Sequence, residues 1–191
     1  MKFFAALIAA LVIASSPLAQ AQPGGAPPPE AAQFDFLVGQ WELEVTPKVN
    51  GLAAAIHGTP RLVGSWKAWR AFDGRGVMDE LRVFDASGNP VALTQAMRVY
   101  DANARQWQLQ SLDVYRARFG PATAQWQGNE MRINGTGTNP DGKKMLTRTR
   151  FYEIGADRFR MQQDRSMDDG ATWDEAALVI TARRVAKQAP R

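Results

Sequence analysis

Phe34-Asp35-Phe36-Leu37-Val38-Gly39-Gln40-Trp41 leads from an apolar cluster through a Gly-x-Trp step into the alternating Glu42-Leu43-Glu44-Val45. Alternation with a period of two marks a strand with one face buried and the other in water. A glycine at the bend lets the backbone pass close beneath a large ring, and the indole that follows can plug the base of a closed sheet. The stretch therefore reads as the first strand of a β-structure together with its approach.

Downstream, turn chemistry recurs at Asp85-Ala86-Ser87-Gly88-Asn89-Pro90, Asp101-Ala102-Asn103, Gln127-Gly128-Asn129, Asn139-Pro140-Asp141-Gly142, Gly155-Ala156-Asp157 and Asp168-Asp169-Gly170. Spacings of roughly 10 to 16 residues suit consecutive antiparallel hairpins rather than βαβ units. Between the turns lie runs rich in β-branched and aromatic residues, such as Leu146-Thr147-Arg148-Thr149-Arg150-Phe151-Tyr152. Such a meander has exposed edges unless it closes, so the expected fold is all-β, an antiparallel up-and-down barrel of about nine to ten strands. Only the Ala-rich stretch from Leu52 to Ile56 would tolerate a helical turn.

The ends of the chain read differently. Met1-Lys2, the apolar run Phe3–Ala14 and Ala19-Gln20-Ala21 have the layout of a secretory signal peptide over residues 1–21. The run is shorter than the ~20 apolar residues that span a bilayer. Residues 22–33, rich in Pro, Gly and Ala, read as a linker, residues 34–185 as the barrel domain and 186–191 as a loose tail. A periplasmic or secreted product with no membrane contact after cleavage is the expectation. The chain has no cysteine, which rules out disulfides and thiolate chemistry. The formal charge of +4 and pI near 9.7 come from dispersed basic residues, with no Lys/Arg run interleaved with aromatics, so no nucleic-acid partner is expected.

Gly39-x-Trp41 on the first strand with Arg183 on the last resembles the arrangement of calycins, the superfamily of lipocalins and fatty-acid-binding proteins. More closely, the chain resembles a bacterial family of exported calycin-like proteins labelled as a domain of unknown function. The matching pieces are Phe36–Trp41, Gly74-Arg75-Gly76-Val77-Met78-Asp79-Glu80, Arg98-Val99-Tyr100-Asp101 and Arg105-Gln106-Trp107. The resemblance covers most of residues 34–185. It implies a calycin-like barrel in which Arg183 covers Trp41, and it implies export; it implies no reaction.

Register arithmetic supplies a candidate site. A turn centred on Gly88-Asn89 pairs residues whose numbers sum to about 176, which sets Arg98 opposite Met78 and diagonal to Glu80. A turn near Ala102-Asn103 gives a sum of about 205 and sets Arg98 opposite Trp107. Met78, Glu80, Arg98, Trp107 and Leu109 would then share an inward face, with Gln106, Gln108 and Gln110 turned to solvent. The expected function is binding of a small, partly apolar and possibly anionic ligand in the barrel interior, with Arg98 toward its anionic group. A small-molecule enzyme (isomerase, cyclase or hydrolase) would use Glu80 as base and Arg98 as electrostatic partner. A barrel filled by its own side chains would instead serve a protein partner or a structural role.

Other motifs carry less chemistry. Ser166-x-Asp168-x-Gly170-x-Thr172-Trp173 matches the Asp-box hairpin of sialidase-type propellers, read here as a structural hairpin. Calcium at Asp164, Asp168 and Asp174 lacks a recognisable ligand order, so no metal is expected. His57 is the sole histidine, in the Ala-rich insertion, and haem or triad chemistry would need partners the chain lacks. No nucleotide-binding or nucleophile-elbow motif occurs, and no cofactor is expected.

Overall fold

A computed structural model describes residues 25–49, 58–139 and 141–186. The leader read over residues 1–21, the Ala-rich insertion Leu52–Ile56, His57 and most of the tail lie outside the described residues. Ten strands follow one another along the chain: β1 (Gly39–Pro47), β2 (Leu62–Ala71), β3 (Gly76–Phe84), β4 (Pro90–Asp101), β5 (Gln106–Asp113), β6 (Arg118–Gln127), β7 (Glu130–Thr138), β8 (Lys144–Tyr152), β9 (Arg158–Ser166) and β10 (Asp174–Arg184). Each pairs antiparallel with its neighbour in sequence, and β10 pairs with β1 to close the barrel. The expected all-β up-and-down barrel of the calycin-like kind is the observed one.

Local sequence explains the strands. In β1, Trp41, Leu43 and Val45 are buried while Gln40, Glu42 and Glu44 are exposed, the alternation that a half-buried strand requires. Closure leaves no free sheet edge, so every strand of this long meander finds a partner on both sides. The tightest connection, Gly128-Asn129 between β6 and β7, has Gly128 at φ +59°, the left-handed conformation that a two-residue hairpin turn demands.

The base of the barrel is plugged from below. Two short 3-10 turns, Pro29–Ala32 and Asp35–Leu37, precede β1 and push Ala31, Phe34 and Leu37 out of water. Phe34 stands edge-on to Trp107 at 4.8 Å and to Phe151 at 6.5 Å, geometries favoured by the ring quadrupoles. Trp107 donates its indole N–H to Gln33 Oε1 at 2.9 Å, and Arg70 donates to Ala31 O at 2.7 Å. From Pro29 onward, then, the stretch read as a linker is part of the floor.

The cover over Trp41 is Arg184, not Arg183. The guanidinium of Arg184 lies 4.0 Å from the Trp41 ring, donates to Val38 O at 2.8 Å and to Ala156 O at 2.6 Å. Arg183 pairs with Glu42 on the outer face and is exposed. Strand parity decides this: Trp41 is directly opposite Arg184, so Arg184 shares its inward face. Gly39, at φ +134°, fits the same corner, because a Cβ there would stand 2.3 Å from Arg184 Nη1. The Trp41 N–H donates to Leu37 O at 2.8 Å, so the indole is satisfied while buried.

The apolar core concentrates in this lower half, with Trp41, Trp66, Val77, Trp107, Met131, Phe151, Phe159 and Ile180 all buried. Toward the other end, the mouth, inward residues become smaller and more polar: Thr94, Ala96, Ser111, Gly120, Ala122, Gly135, Thr147 and Gln163. All of these keep partial exposure although they face inward.

Candidate functional site

The residues expected to share one inward face do not do so. Across β3 and β4 the observed pairs are Met78 with Met97 and Val77 with Arg98, a sum of 175 rather than 176. That single-residue difference turns Met78 and Glu80 outward and brings Val77 and Asp79 inward. Across β4 and β5 the sum is 207, so Arg98 meets Leu109 and Tyr100 meets Trp107. A two-residue difference preserves parity, and Arg98, Trp107 and Leu109 do face inward.

The inward acid is therefore Asp79. Its carboxylate forms a buried ion pair with Arg98 and accepts the Trp66 indole N–H at 2.9 Å. The Arg98 guanidinium also lies 5.1 Å from the centre of the Phe34 ring. Burial pulls its pKa down to about 9, which still leaves it protonated near neutrality beside Asp79. Both side chains are almost wholly enclosed, Arg98 at 5% exposure and Asp79 at 2%. A guest's carboxylate has no access to Arg98 here, and the pair acts as a polar tie inside the floor. The hidden register was the obstacle to finding Asp79; the adjacent Asp79-Glu80 in the sequence was the available signal.

Glu80 sits on the outer wall. It accepts from Arg82 Nε at 2.7 Å and from Gln95 at 3.3 Å, and these bonds hold its carboxyl below the usual range. A catalytic base needs the opposite shift. Glu80 and Arg98, on opposite faces of the sheet, cannot serve one reacting centre.

A recess also lies on the outer wall. It is a groove of about 720 Å³ running across β4 to β8. Met97 and Val99 form one bank, Gln108, Gln110, Pro121 and Thr123 the bed, and Asn134, Thr136, Leu146 and Arg148 the other side. Leu109 and Ala122 back onto it from the inner row. Beside it, Met78 helps line a smaller recess of about 80 Å³ with Leu112 and Phe119. The small inward residues of β6 and β7 permit this shape. A Cβ on Gly135 would stand 3.0 Å from Thr147 Oγ1, and one on Gly120 would stand 3.0 Å from Thr136 O, so any larger residue at either position would crowd the neighbouring strand.

One end of the groove is closed by Trp173, which the Asp-box hairpin holds in place. Ser166 donates its hydroxyl to Asp168 at 2.7 Å and accepts the Gly170 N–H at 2.8 Å. Asp168 also accepts the Thr172 hydroxyl at 2.6 Å and its N–H at 2.9 Å, and these bonds hold the carboxyl down to about 2. Gly170 at φ +94° turns the chain so that its carbonyl accepts the Trp173 indole N–H at 3.1 Å. Arg148 then stacks over the Trp173 ring at 3.8 Å. The motif was visible in the sequence, but its place at the groove was not, because that depends on the pairing of β8 with β9.

The three carboxylates weighed for calcium are engaged separately. Asp164 accepts from Gln162 and from the Ala176 N–H, Asp168 binds Thr172, and Asp174 pairs with Lys48 at 2.6 Å. Among the described residues no group of three or more potential metal-ligating side chains converges.

Neither a family model nor a curated protein matches the chain. Among solved structures it is similar to the S-type phycobiliprotein lyase CPES from Guillardia theta, at 11% identity and a TM-score of 0.52, over 82% of this chain and 92% of that one. The structure of EF1p2_mFAP2b bound to DFHBI aligns over 81% of this chain and 98% of that one, at 13% identity and a TM-score of 0.39. The likeness to the lyase is one of fold, the ten-stranded calycin-like barrel.

Proposed function

We propose that the protein binds a small, largely apolar molecule in the groove on the outer wall of β4 to β8, without covalent chemistry. The observation that carries this reading is the groove itself. Its volume of about 720 Å³ is that of a site for a drug-sized molecule. Its chemistry suits such a guest: Met97, Val99, Pro121, Leu146 and Trp173 offer apolar surface, while the amides of Gln108, Gln110 and Asn134 orient polar atoms. The Arg148–Trp173 stack adds one cation at the rim. Membership in the exported calycin-like family, cleavage after Ala21 and a periplasmic or secreted location belong to the same proposal and rest on the sequence motifs.

Native mass spectrometry of the protein purified from its producing cells tests the reading. The expected result is a copurified mass that leaves on denaturation and is absent from Thr123→Trp, whose indole would fill the groove bed. A guest retained by Thr123→Trp would overturn it. So would a clean protein mass combined with no thermal shift across a panel of apolar and aromatic compounds.

A further inference from the structure

We propose that the outer wall of β4 to β6 is the interface of a homodimer, in which a second copy of this chain roofs the groove. Every outward position from Val91 to Val99 on β4, from Gln106 to Leu112 on β5 and from Phe119 to Gln127 on β6 is uncharged. The chain as a whole is 22% charged, and the outward rows of β9, β10 and β1 carry Arg158, Arg160, Arg183, Glu42 and Glu44. Loss of charge over three adjacent strands, with Met, Val and aromatic surface in its place, is the composition of an interface core. Charge returns at both borders, in the Glu80–Arg82 pair on β3 at 2.7 Å and the Glu130–Arg132 pair on β7 at 3.1 Å. These pairs supply the polar rim that such a core requires.

The centre of the face is built of directly opposed residues. Met78, Met97, Gln110 and Pro121 follow one another across β3 to β6, and beside that row Leu112 stands opposite Phe119. Phe119 is 67% exposed, the most exposed large hydrophobic side chain among the described residues. A phenyl ring left that far in water contributes little to its own fold and gains most from being covered. A barrel wall is ordinarily convex, which limits contact between two of them. Here the groove of about 720 Å³ dishes the wall across β4 to β8, so a partner can seat on it. Five strands about 4.8 Å apart and about nine residues long, at about 3.3 Å per residue, give β3 to β7 a face of roughly 700 Å². That is close to the ~800 Å² per partner of a stable dimer.

The chemistry of the face selects a second copy over other occupants. Near a two-fold axis each residue meets its own kind, so a charged face repels itself and a neutral one does not. The outward glutamines Gln106, Gln108 and Gln110 each carry donors and an acceptor, and they can pair with the same amides of the partner copy. A lipid surface would leave those amides without partners, and a polyanion would find no cation on these three strands. A copy seated here lies over Met97, Val99, Gln108, Gln110 and Pro121, which also line the groove, and so encloses a guest bound there. That enclosure rests on the groove reading; the dimer itself does not.

Sedimentation equilibrium of the full chain without added ligand tests the dimer. Twice the chain mass is expected at about 100 µM, well above the micromolar end of affinities for interfaces of this size. Phe119→Lys sets two like charges in the interface and should weaken association by roughly tenfold or more. Val63→Lys changes another exposed apolar side chain (52% exposed), on β2 outside this face, and should leave the dimer intact. A monomer at the same concentration would overturn the inference. So would a dimer that Phe119→Lys leaves unchanged, or that Val63→Lys weakens as much. The copurified mass reads the groove separately. A guest-free dimer that shows no thermal shift with the compound panel supports this interface and sinks the groove reading alone, whereas a guest held by a monomer does the reverse.

Discussion

Asp79 and Glu80 are neighbours with opposite fates, and the difference is one of parity alone. Asp79 is buried against Arg98 and Trp66, whereas Glu80 bonds to Arg82 and Gln95 at the surface. Removing one partner of a buried ion pair leaves the other charge uncompensated, at a cost of about 3–5 kcal/mol, while surface changes stay within about 0.5 kcal/mol. Asp79→Asn should therefore lower stability in urea by that larger amount, and Glu80→Gln should leave the midpoint almost unmoved. Equal effects would mean that the register across β3 and β4 is wrong. Gly39→Ala should cost about 1–3 kcal/mol in the same assay, because it meets both an unfavourable φ and the Arg184 guanidinium. Sequence arithmetic missed Asp79 for a local reason. The turn after β3 closes with the Asp85 backbone N–H donating to Asn89 O at 3.0 Å, so it is centred on Ser87, and the register shifts again between Val83 and Phe84. A bulge adds one residue to one strand and leaves no reliable mark in composition. The same blindness chose Arg183 over Arg184, two adjacent arginines that only strand parity separates.

At the scale of an element, the β9–β10 hairpin was legible as a motif and silent as to its role. Its serine, aspartate and glycine satisfy one another within eight residues of sequence, so local chemistry is enough to specify the turn. The role comes from Trp173 reaching Arg148 on β8, a contact set by sheet pairing. Asp168→Ala should therefore act at a distance from the ligand, loosening Trp173 and weakening binding of a groove guest by roughly three- to tenfold. Thermal shift with the copurified guest would report this, and unchanged affinity would dissociate the hairpin from the groove. The depressed carboxyl also has a pH signature. Because its pKa is lower in the folded protein, its contribution to stability is complete above the ordinary carboxylate range and is lost as pH falls through about 2. Carbonyl-detected NMR should show Asp168 titrating near that value and well below Asp residues without such bonds.

Across the whole molecule, the barrel divides into an aromatic floor and a polar, small-residue mouth, and the division follows from how a closed sheet is filled. Ten strands enclose more space than their own inward side chains occupy unless large rings are placed there. The chain spends those rings at one end, on Trp41, Trp66, Trp107, Phe151 and Phe159, and adds Phe34 from outside the sheet. Phe34 touches the rings of Trp107, Phe151 and Phe36 and also lies against Arg98, so it joins the plug to the buried ion pair. Phe34→Ala should remove about 3–5 kcal/mol, the usual cost of deleting a fully buried ring. The loss should not be uniform. Amides of the floor half, around Trp41, Trp107 and Phe151, should lose hydrogen-exchange protection. The Asp-box turn should keep its own, since its bonds are local and lie at the mouth. A uniform loss of protection along all ten strands would show instead that floor and mouth unfold as one unit, and the small-residue mouth would then have no stability separate from the aromatic plug.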